Sequence, residues 1–124
     1  EASVKYLILI YSTPESREAW SGFSDVQRAE GMGAYSALSD ELAESEELVA
    51  SETLTSPALG KGVAVRDGQV ITTDGPFAAA NEQLSGFFLV DCETLERATE
   101  IAARIPEATL GLVEVRPVMM YHRM

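Results

Sequence analysis

The chain has 124 residues, of which 46% are hydrophobic and 23% charged, and this size and composition predict a single globular domain over residues 1–124. Its formal net charge of −11 argues against nucleic acid and against an anionic membrane surface as partners, because such binding needs Lys and Arg to neutralise phosphates. A single cysteine excludes an internal disulfide, and the absence of a signal-peptide pattern or a membrane-length apolar run predicts a cytoplasmic protein.

The first predicted element is a β-strand from Val4 to Tyr11. Both of its alternating residue sets are apolar, so the strand must be covered on both faces. Thr13 and Pro14 then provide an N-cap and a first helical residue, which predicts a short helix through Trp20.

A longer helix is predicted next, because Ser24 and Gln27 have the spacing of a capping box and apolar residues follow at near-helical spacing as far as Leu42. Gly31 and Gly33 weaken this helix by about 1 kcal/mol each relative to alanine. The segment from Leu48 to Leu54 is predicted to be the second strand.

A β-hairpin follows. The segments Lys61–Arg66 and Gln69–Thr73 flank the pair Asp67-Gly68, which is the preferred dipeptide for a two-residue type I′ turn.

The last third of the chain predicts a strand, a helix and a strand. The strand Gly86–Asp91 is again apolar on both residue sets, and an amphipathic helix runs from Leu95 to Ile105, where Pro106 stops it. The segment from Leu112 to Val118 is the final strand, and its proline favours a sheet edge or a strand end.

This element order predicts an α+β fold with a ferredoxin-like βαββαβ plan and an inserted β-hairpin. If both long helices cover one face of the antiparallel sheet, the other face still presents apolar side chains. A second copy of the chain is the simplest cover. We therefore expect a homodimer in which the two sheets meet face to face.

Three motifs carry a family resemblance: Thr73–Phe77 (TDGPF), Asn81–Phe88 (NEQLSGFF) and Gly111–Val118 (GLVEVRPV). With them, nearly the whole chain resembles the DGPF branch of the YCII-related proteins. The resemblance implies a small dimeric α+β barrel, and most such proteins have no established activity.

Asp74, in the TDGPF motif, is the best single candidate for a functional carboxylate, although the same residues also suit a purely structural turn. After this loop, close family members usually have acidic, small, basic and acidic residues. This chain has Ala79, Ala80, Asn81 and Glu82, so only Glu82 keeps its charge. If Asp74 and Glu82 face one pocket, their repulsion raises the pKa of one carboxyl and makes it a candidate general acid or base.

The predicted ligand-binding residues come from several elements. Arg116 alternates with valines on the last strand and shares a face with Glu114, so it is either solvated or holds an anionic group of a ligand. Tyr11, Phe77 and Phe88 are predicted to line the same pocket.

No metal or cofactor is predicted. The only histidine, His122, lies near the chain end, and Cys92 lies between Asp91 and Glu93, which would raise the pKa of its thiol. These residues lack the spacing of a zinc or iron site, and no nucleotide-binding fingerprint occurs.

Two functions from different classes fit these features. One is a dimeric protein that binds or senses a small molecule near the Asp-Gly-Pro-Phe loop. The other is a cofactor-independent enzyme that uses Asp74 or Glu82 as general acid or base on a small carbonyl or phenolic substrate. A third reading, a protein-binding accessory to a transcription regulator, rests on the resemblance alone.

Overall fold

The computed structural model describes residues 4–76 and 81–119, and it confirms the predicted α+β architecture. Its main sheet has four antiparallel strands in the spatial order β2-β5-β1-β6, and a separate two-stranded sheet pairs β3 with β4. The strands are β1 Val4–Ser12, β2 Leu48–Thr53, β3 Lys61–Arg66, β4 Gln69–Asp74, β5 Gln83–Cys92 and β6 Val113–Pro117. Without the hairpin, this order is that of a ferredoxin-like βαββαβ fold.

The described residues form three helices, and the first two begin at the predicted caps. They are α1 Pro14–Ser21, α2 Asp25–Glu44 and α3 Leu95–Ala103, with short 3-10 turns at Pro57–Leu59 and Pro106–Leu110. The predicted capping box at Ser24 is present, and a second box forms at Thr13. Thr94 caps α3 by accepting a hydrogen bond from the backbone N–H of Arg97.

Helix α3 is shorter than the sequence pattern predicts. It ends at Ala103 rather than at Ile105, which adopts an extended conformation with φ −78° and ψ 130°. The cause is Pro106, since a proline disfavours helical geometry in the residue before it. Ile105 nevertheless packs in the core with only 1% of its surface exposed.

Helix α2 continues through both of its glycines. A Cβ atom at Gly31 would lie 3.1 Å from Cζ3 of Trp20, so this glycine leaves room for the indole of α1 against α2. Gly31 lowers the stability of α2 relative to alanine, but it allows α1 and α2 to pack closely at Trp20.

The hydrophobic core lies between the main sheet and the helices α2 and α3. We call this side of the sheet the covered face. Its strand residues are Tyr6, Ile8, Ile10, Phe88, Val90 and Cys92, and the helical side contributes Leu38, Leu42, Ala98, Ile101, Ala102 and Ile105.

The opposite side of the sheet, which we call the open face, carries the alternate residues of the same strands. Its centre is formed by Leu7 and Leu9 of β1 with Phe87 and Leu89 of β5, all half-buried. Two lines of cross-strand neighbours run across this face from β2 to β6. The first is Glu52, Phe87, Leu9 and Glu114, and the second is Ala50, Leu89, Leu7 and Arg116. The open face thus has an apolar centre and charged groups at its edges.

The hairpin of β3 and β4, residues 61–74, forms its own small sheet. Its turn residues Asp67 and Gly68 have φ values of 51° and 77°, which confirms the predicted left-handed geometry of both positions. The two strands are paired along their whole length, from Lys61 opposite Asp74 to Arg66 opposite Gln69.

Candidate functional site

Asp74 is the last residue of β4 and lies on the surface of the hairpin. Its carboxylate accepts a hydrogen bond from Nζ of Lys61, with 89% of the Asp74 side chain exposed. The backbone N–H of Gly75 donates to the carbonyl of Gly60 at 2.9 Å, which ties the loop to the start of β3. Within the described residues, Asp74 therefore takes part in a cross-strand ion pair rather than a cleft shared with Glu82 or Arg116.

Glu82 is exposed and directly precedes β5. That position lies at the end of the sheet where Ser12 pairs with Gln83, and no hydrogen bond or ion pair joins Glu82 to Asp74 in the described part of the chain. Two residues from the sequence prediction, Phe77 and His122, lie outside the described residues, as do Ala79 and Ala80.

The structure brings together two of the predicted ligand-binding residues, Tyr11 and Arg116, through Glu114. The Tyr11 hydroxyl donates to Oε1 of Glu114 at 3.2 Å. Arg116 donates to Oε2 of Glu114 from Nε at 3.1 Å and from Nη2 at 2.8 Å. One carboxylate therefore connects a phenol and a guanidinium, and we call these three side chains the Tyr–Glu–Arg row.

Local strand geometry explains this arrangement. Glu114 and Arg116 are two residues apart on β6, and they pair with Leu9 and Leu7, so both side chains point to the open face. Tyr11 follows Leu9 on the same face of β1, beyond a register shift between Ile10 and Tyr11. The open face thus carries the row beside its apolar centre.

The ionisation of the row follows from its hydrogen bonds. Arg116 holds the pKa of the Glu114 carboxyl below its usual value, with Tyr11 as a lesser donor. Burial, followed by the hydrogen bond to Glu114, raises the pKa of the Tyr11 phenol. At neutral pH the row therefore contains a neutral phenol, a carboxylate and a guanidinium.

The guanidinium is the group of the row best placed to receive a ligand. The Arg116 side chain is 65% exposed, and both of its described hydrogen bonds go to a single oxygen of Glu114. A guanidinium has five N–H donors, so donors remain for an incoming anion. Chemically, the row can hold a carboxylate or a similar anionic group against an apolar surface.

Phe88 lies on the covered face, not on the open face. It is 3% exposed, and its ring is stacked with that of Tyr35 at a centroid distance of 6.5 Å and an interplanar angle of 7°. The structure therefore does not bring Phe88 together with Tyr11. The neighbouring Phe87, which pairs with Leu9, is the aromatic residue on the side of the row.

Sequence reasoning missed Phe87 because both residue sets of β5 are apolar, so alternation alone does not show which set faces the helices. The sequence pattern also indicates Glu114 only as a neighbour of Arg116 on the same strand face. The signal for its role was present in the Glu-x-Arg spacing on one strand face, but the contact with Tyr11, 103 residues away in sequence, required the pairing of β1 with β6.

Tyr35 and Glu107 form a second polar contact, on the helical side. The Tyr35 hydroxyl donates to the Glu107 carboxylate. Burial, and then this hydrogen bond, raises the pKa of the Tyr35 phenol. Because the Tyr35 ring also stacks on Phe88, this contact belongs to the packing of the core.

Cys92 is buried on the covered face, with 4% of its surface exposed. The pKa of its thiol is raised, mainly by burial and then by the charge of Glu47. The sequence correctly indicated the direction of this shift but assigned it to the neighbouring acids. A buried thiol with a raised pKa is a packing residue rather than a nucleophile.

One further surface feature contains none of the predicted site residues. A groove on the outer side of α3 is lined by Leu95, Glu96, Thr99, Glu100 and Ala103. Within residues 4–76 and 81–119, no group of three or more His, Cys, Asp and Glu side chains could hold a metal ion. None of the helices that the structure describes combines the length and apolarity needed to cross a bilayer.

Comparison with known proteins identifies the family. The family model of the YCII-related domain matches residues 4–122. The chain is also 33% identical over 118 residues to an uncharacterized protein of Rhizobium meliloti (strain 1021), and this match covers 94% of the chain and 93% of that protein. The ferredoxin-like sheet order agrees with this match, and the chain belongs to the family of proteins with a YCII-related domain.

Proposed function

We propose that this protein is a homodimer that binds a small molecule with an anionic group, and that Arg116 in the Tyr–Glu–Arg row holds this group. The observation that carries the proposal is the row itself, a hydrogen-bonded phenol, carboxylate and guanidinium on the sheet face against which neither α2 nor α3 packs. Because the row lies beside an apolar centre, the ligand combines an anionic end with an apolar body.

The roles of the three side chains differ. Arg116 supplies the charge that attracts the ligand. Glu114 positions the guanidinium by accepting from Nε and Nη2, and Tyr11 fixes the carboxylate from the other side. The half-buried Phe87 and Leu9 provide the apolar wall for the rest of the ligand.

Dimerisation completes this site. The open face has an apolar centre and charged edges, which is the composition of protein interfaces, where a hydrophobic core lies within a polar rim. A second copy that packs on this face would exclude water from the row, and it would strengthen the interaction of Arg116 with an anion by lowering the local dielectric.

The alternative of a cofactor-independent enzyme has less support. It needs Asp74 or Glu82 as general acid or base in an enclosed site. Asp74 pairs with Lys61 on the hairpin surface, and Glu82 is exposed, so neither carboxylate lies in an enclosed site within the described residues.

The test is a binding screen with aliphatic carboxylates, aromatic carboxylates and phenols, read by NMR chemical-shift changes. We expect aromatic carboxylates to bind and to shift the resonances of Tyr11 and Arg116. Arg116→Gln should weaken this binding about tenfold or more, since a charge-assisted hydrogen bond is lost.

Arg104→Gln is the matched control, because Arg104 also pairs with a carboxylate, that of Glu41, but lies on the helical side. It should leave the affinity unchanged. Equal affinity of wild type and Arg116→Gln, or binding that shifts only residues outside the open face, would contradict the proposal.

A further inference from the structure

The hairpin of β3 and β4 has one face with apolar side chains exposed to solvent. Val63, Val65 and Val70 lie on this face at 63%, 66% and 70% exposure, together with Thr72, opposite Val63, and the Lys61–Asp74 ion pair at its end. We call it the valine face. On the other side of the hairpin, Gly62 is buried, Ala64 is half-buried and Ile71 is 43% exposed.

An isolated two-stranded sheet with such a face is marginally stable in water, because it buries too little apolar surface. We propose that the valine face packs against a second copy of the chain, so that each hairpin clasps the partner subunit. This inference rests on the homodimer of the proposed function and adds a contact that the open face does not include.

The apolar area supports a second copy as the occupant. Fully burying an aliphatic side chain removes on the order of 100 Å² of apolar surface from water, so the four half-buried side chains at the centre of the open face offer roughly 100 Å². A specific interface buries about 800 Å² per partner, somewhat more than half of it apolar. The open face alone falls short of this, and the valine face supplies roughly 200 Å² more.

The charge distribution points to the same occupant. The hairpin carries Lys61, Arg66, Asp67 and Asp74, so its formal net charge is zero, while the whole chain has −11. Two copies of an acidic chain repel each other, and the hairpin is a region through which they can approach with little repulsion.

The position of the hairpin is also suitable. It leaves the main sheet after β2, whose last residue, Thr53, pairs with Gly86, and the chain re-enters the sheet at Gln83, opposite Ser12. Tyr11, which pairs with Leu84, lies at this same end of the open face. The hairpin therefore leaves and re-enters the main sheet at the end of the open face that carries Tyr11.

Sedimentation equilibrium of three variants tests the proposal. The triple variant Val63→Thr, Val65→Thr, Val70→Thr keeps β-branched residues in the strands but places hydroxyls on the valine face, and we expect it to raise the dimer dissociation constant about tenfold or more. The single variant Val65→Thr should raise it by a smaller factor. Val26→Thr on α2 is the matched control, because Val26 is 68% exposed, and it should have no effect.

Hydrogen exchange of the wild-type protein provides a second measurement that needs no variant. Amides of residues 61–74 should become more protected as the protein concentration rises through the dimer dissociation constant. If the wild-type protein stays monomeric, both the proposed homodimer and the proposed contact of the hairpin with the partner subunit are wrong. If the wild-type protein dimerises but its hairpin amides stay unprotected, and the triple variant has an unchanged dimer dissociation constant, only the proposed contact of the hairpin is wrong.

Discussion

The two faces of the main sheet are built from the same strands, yet they differ in how completely they are packed. On the covered face, Ile8 and Val90 have no exposed surface. On the open face, their neighbours Leu9 and Leu89 are only half-buried. Both sets of residues are similarly apolar in sequence, so apolar character alone does not tell which face the chain's own helices will cover.

The edges of the open face show a second difference. Glu114 and Arg116 lie there on β6, and Glu52 lies on β2. The described core of the covered face contains no buried charged group. Charged groups remain solvated at the edge of an uncovered face, whereas burying them under a helix would cost desolvation energy. The open face is therefore suited to bind a ligand from solution, or a partner protein whose charges complement those at its edges.

The largest effect is expected from truncating the two faces in turn. Ile8→Ala on the covered face should lower the free energy of unfolding by about 3 kcal/mol, because it leaves a cavity in a closed core. At low protein concentration, Leu9→Ala on the open face should lower the free energy of unfolding by less than Ile8→Ala does. Its cost should grow at high concentration, where the proposed dimer would bury this face and stabilise the fold by mass action. Urea unfolding at two protein concentrations measures both effects. If Ile8→Ala and Leu9→Ala lower the free energy of unfolding equally, and at both protein concentrations, the proposed difference between the two faces is wrong.

A smaller effect is expected from removing the two tyrosine hydroxyls. Tyr35→Phe on the covered side removes a half-buried hydrogen bond to the Glu107 carboxylate and should cost about 1–2 kcal/mol. Tyr11→Phe on the open face should cost clearly less, because Glu114 keeps its contacts with Arg116. The two variants are matched in chemistry, and thermal unfolding compares them. A larger loss in Tyr11→Phe would show that the open face carries more of the stability than its exposure indicates.

The smallest effect concerns the ion pair that joins the segment between α2 and β2 to helix α3. Arg97 donates to Glu47 from Nε at 2.8 Å and from Nη2 at 2.7 Å. These bonds hold the pKa of the Glu47 carboxyl below its usual value. In the unfolded chain the pKa of a glutamate carboxyl is near 4.3. Because the pKa of Glu47 is lower in the folded state, its ionised form stabilises the fold at pH values above about 4.3, and this stabilisation is lost as the pH falls through the folded-state pKa.

Glu47→Gln should therefore cost about 1 kcal/mol at pH 7, a modest value because Arg97 is 39% exposed. The difference from wild type should vanish at the lowest pH at which both still fold. Urea unfolding across this pH range measures it. Glu100→Gln is the control, because Glu100 contacts the same arginine with 68% of its side chain exposed, and it should have a smaller effect.

Local features of the fold could be read from the sequence. The caps at Thr13 and Ser24 and the turn at Asp67 and Gly68 are each set by a few adjacent residues, and all were predicted. The sequence predicts that α3 ends at Ile105, two residues too far, because the pattern of apolar residues continues past the point where Pro106 disfavours helical geometry.

The candidate site was only partly predictable. Arg116 and Tyr11 were predicted to share a pocket, and the pairing of β1 with β6 brings them to one carboxylate. The sequence also predicts Phe88 in this pocket, but Phe88 lies on the other face of the sheet. The partner of Asp74 was not predicted, because it is set by the register of the hairpin, which places Lys61 directly opposite.

The sequence by itself determined the family, the order of the elements and the apolar character of both sheet faces, because capping, turn chemistry and alternation act over a few neighbouring residues. Only the tertiary structure decided which residue set meets α2 and α3, and that Tyr11, Glu114 and Arg116 form one row. The reason is physical: a strand with two apolar sets can present either one to the helices, and the choice depends on how distant segments pack together.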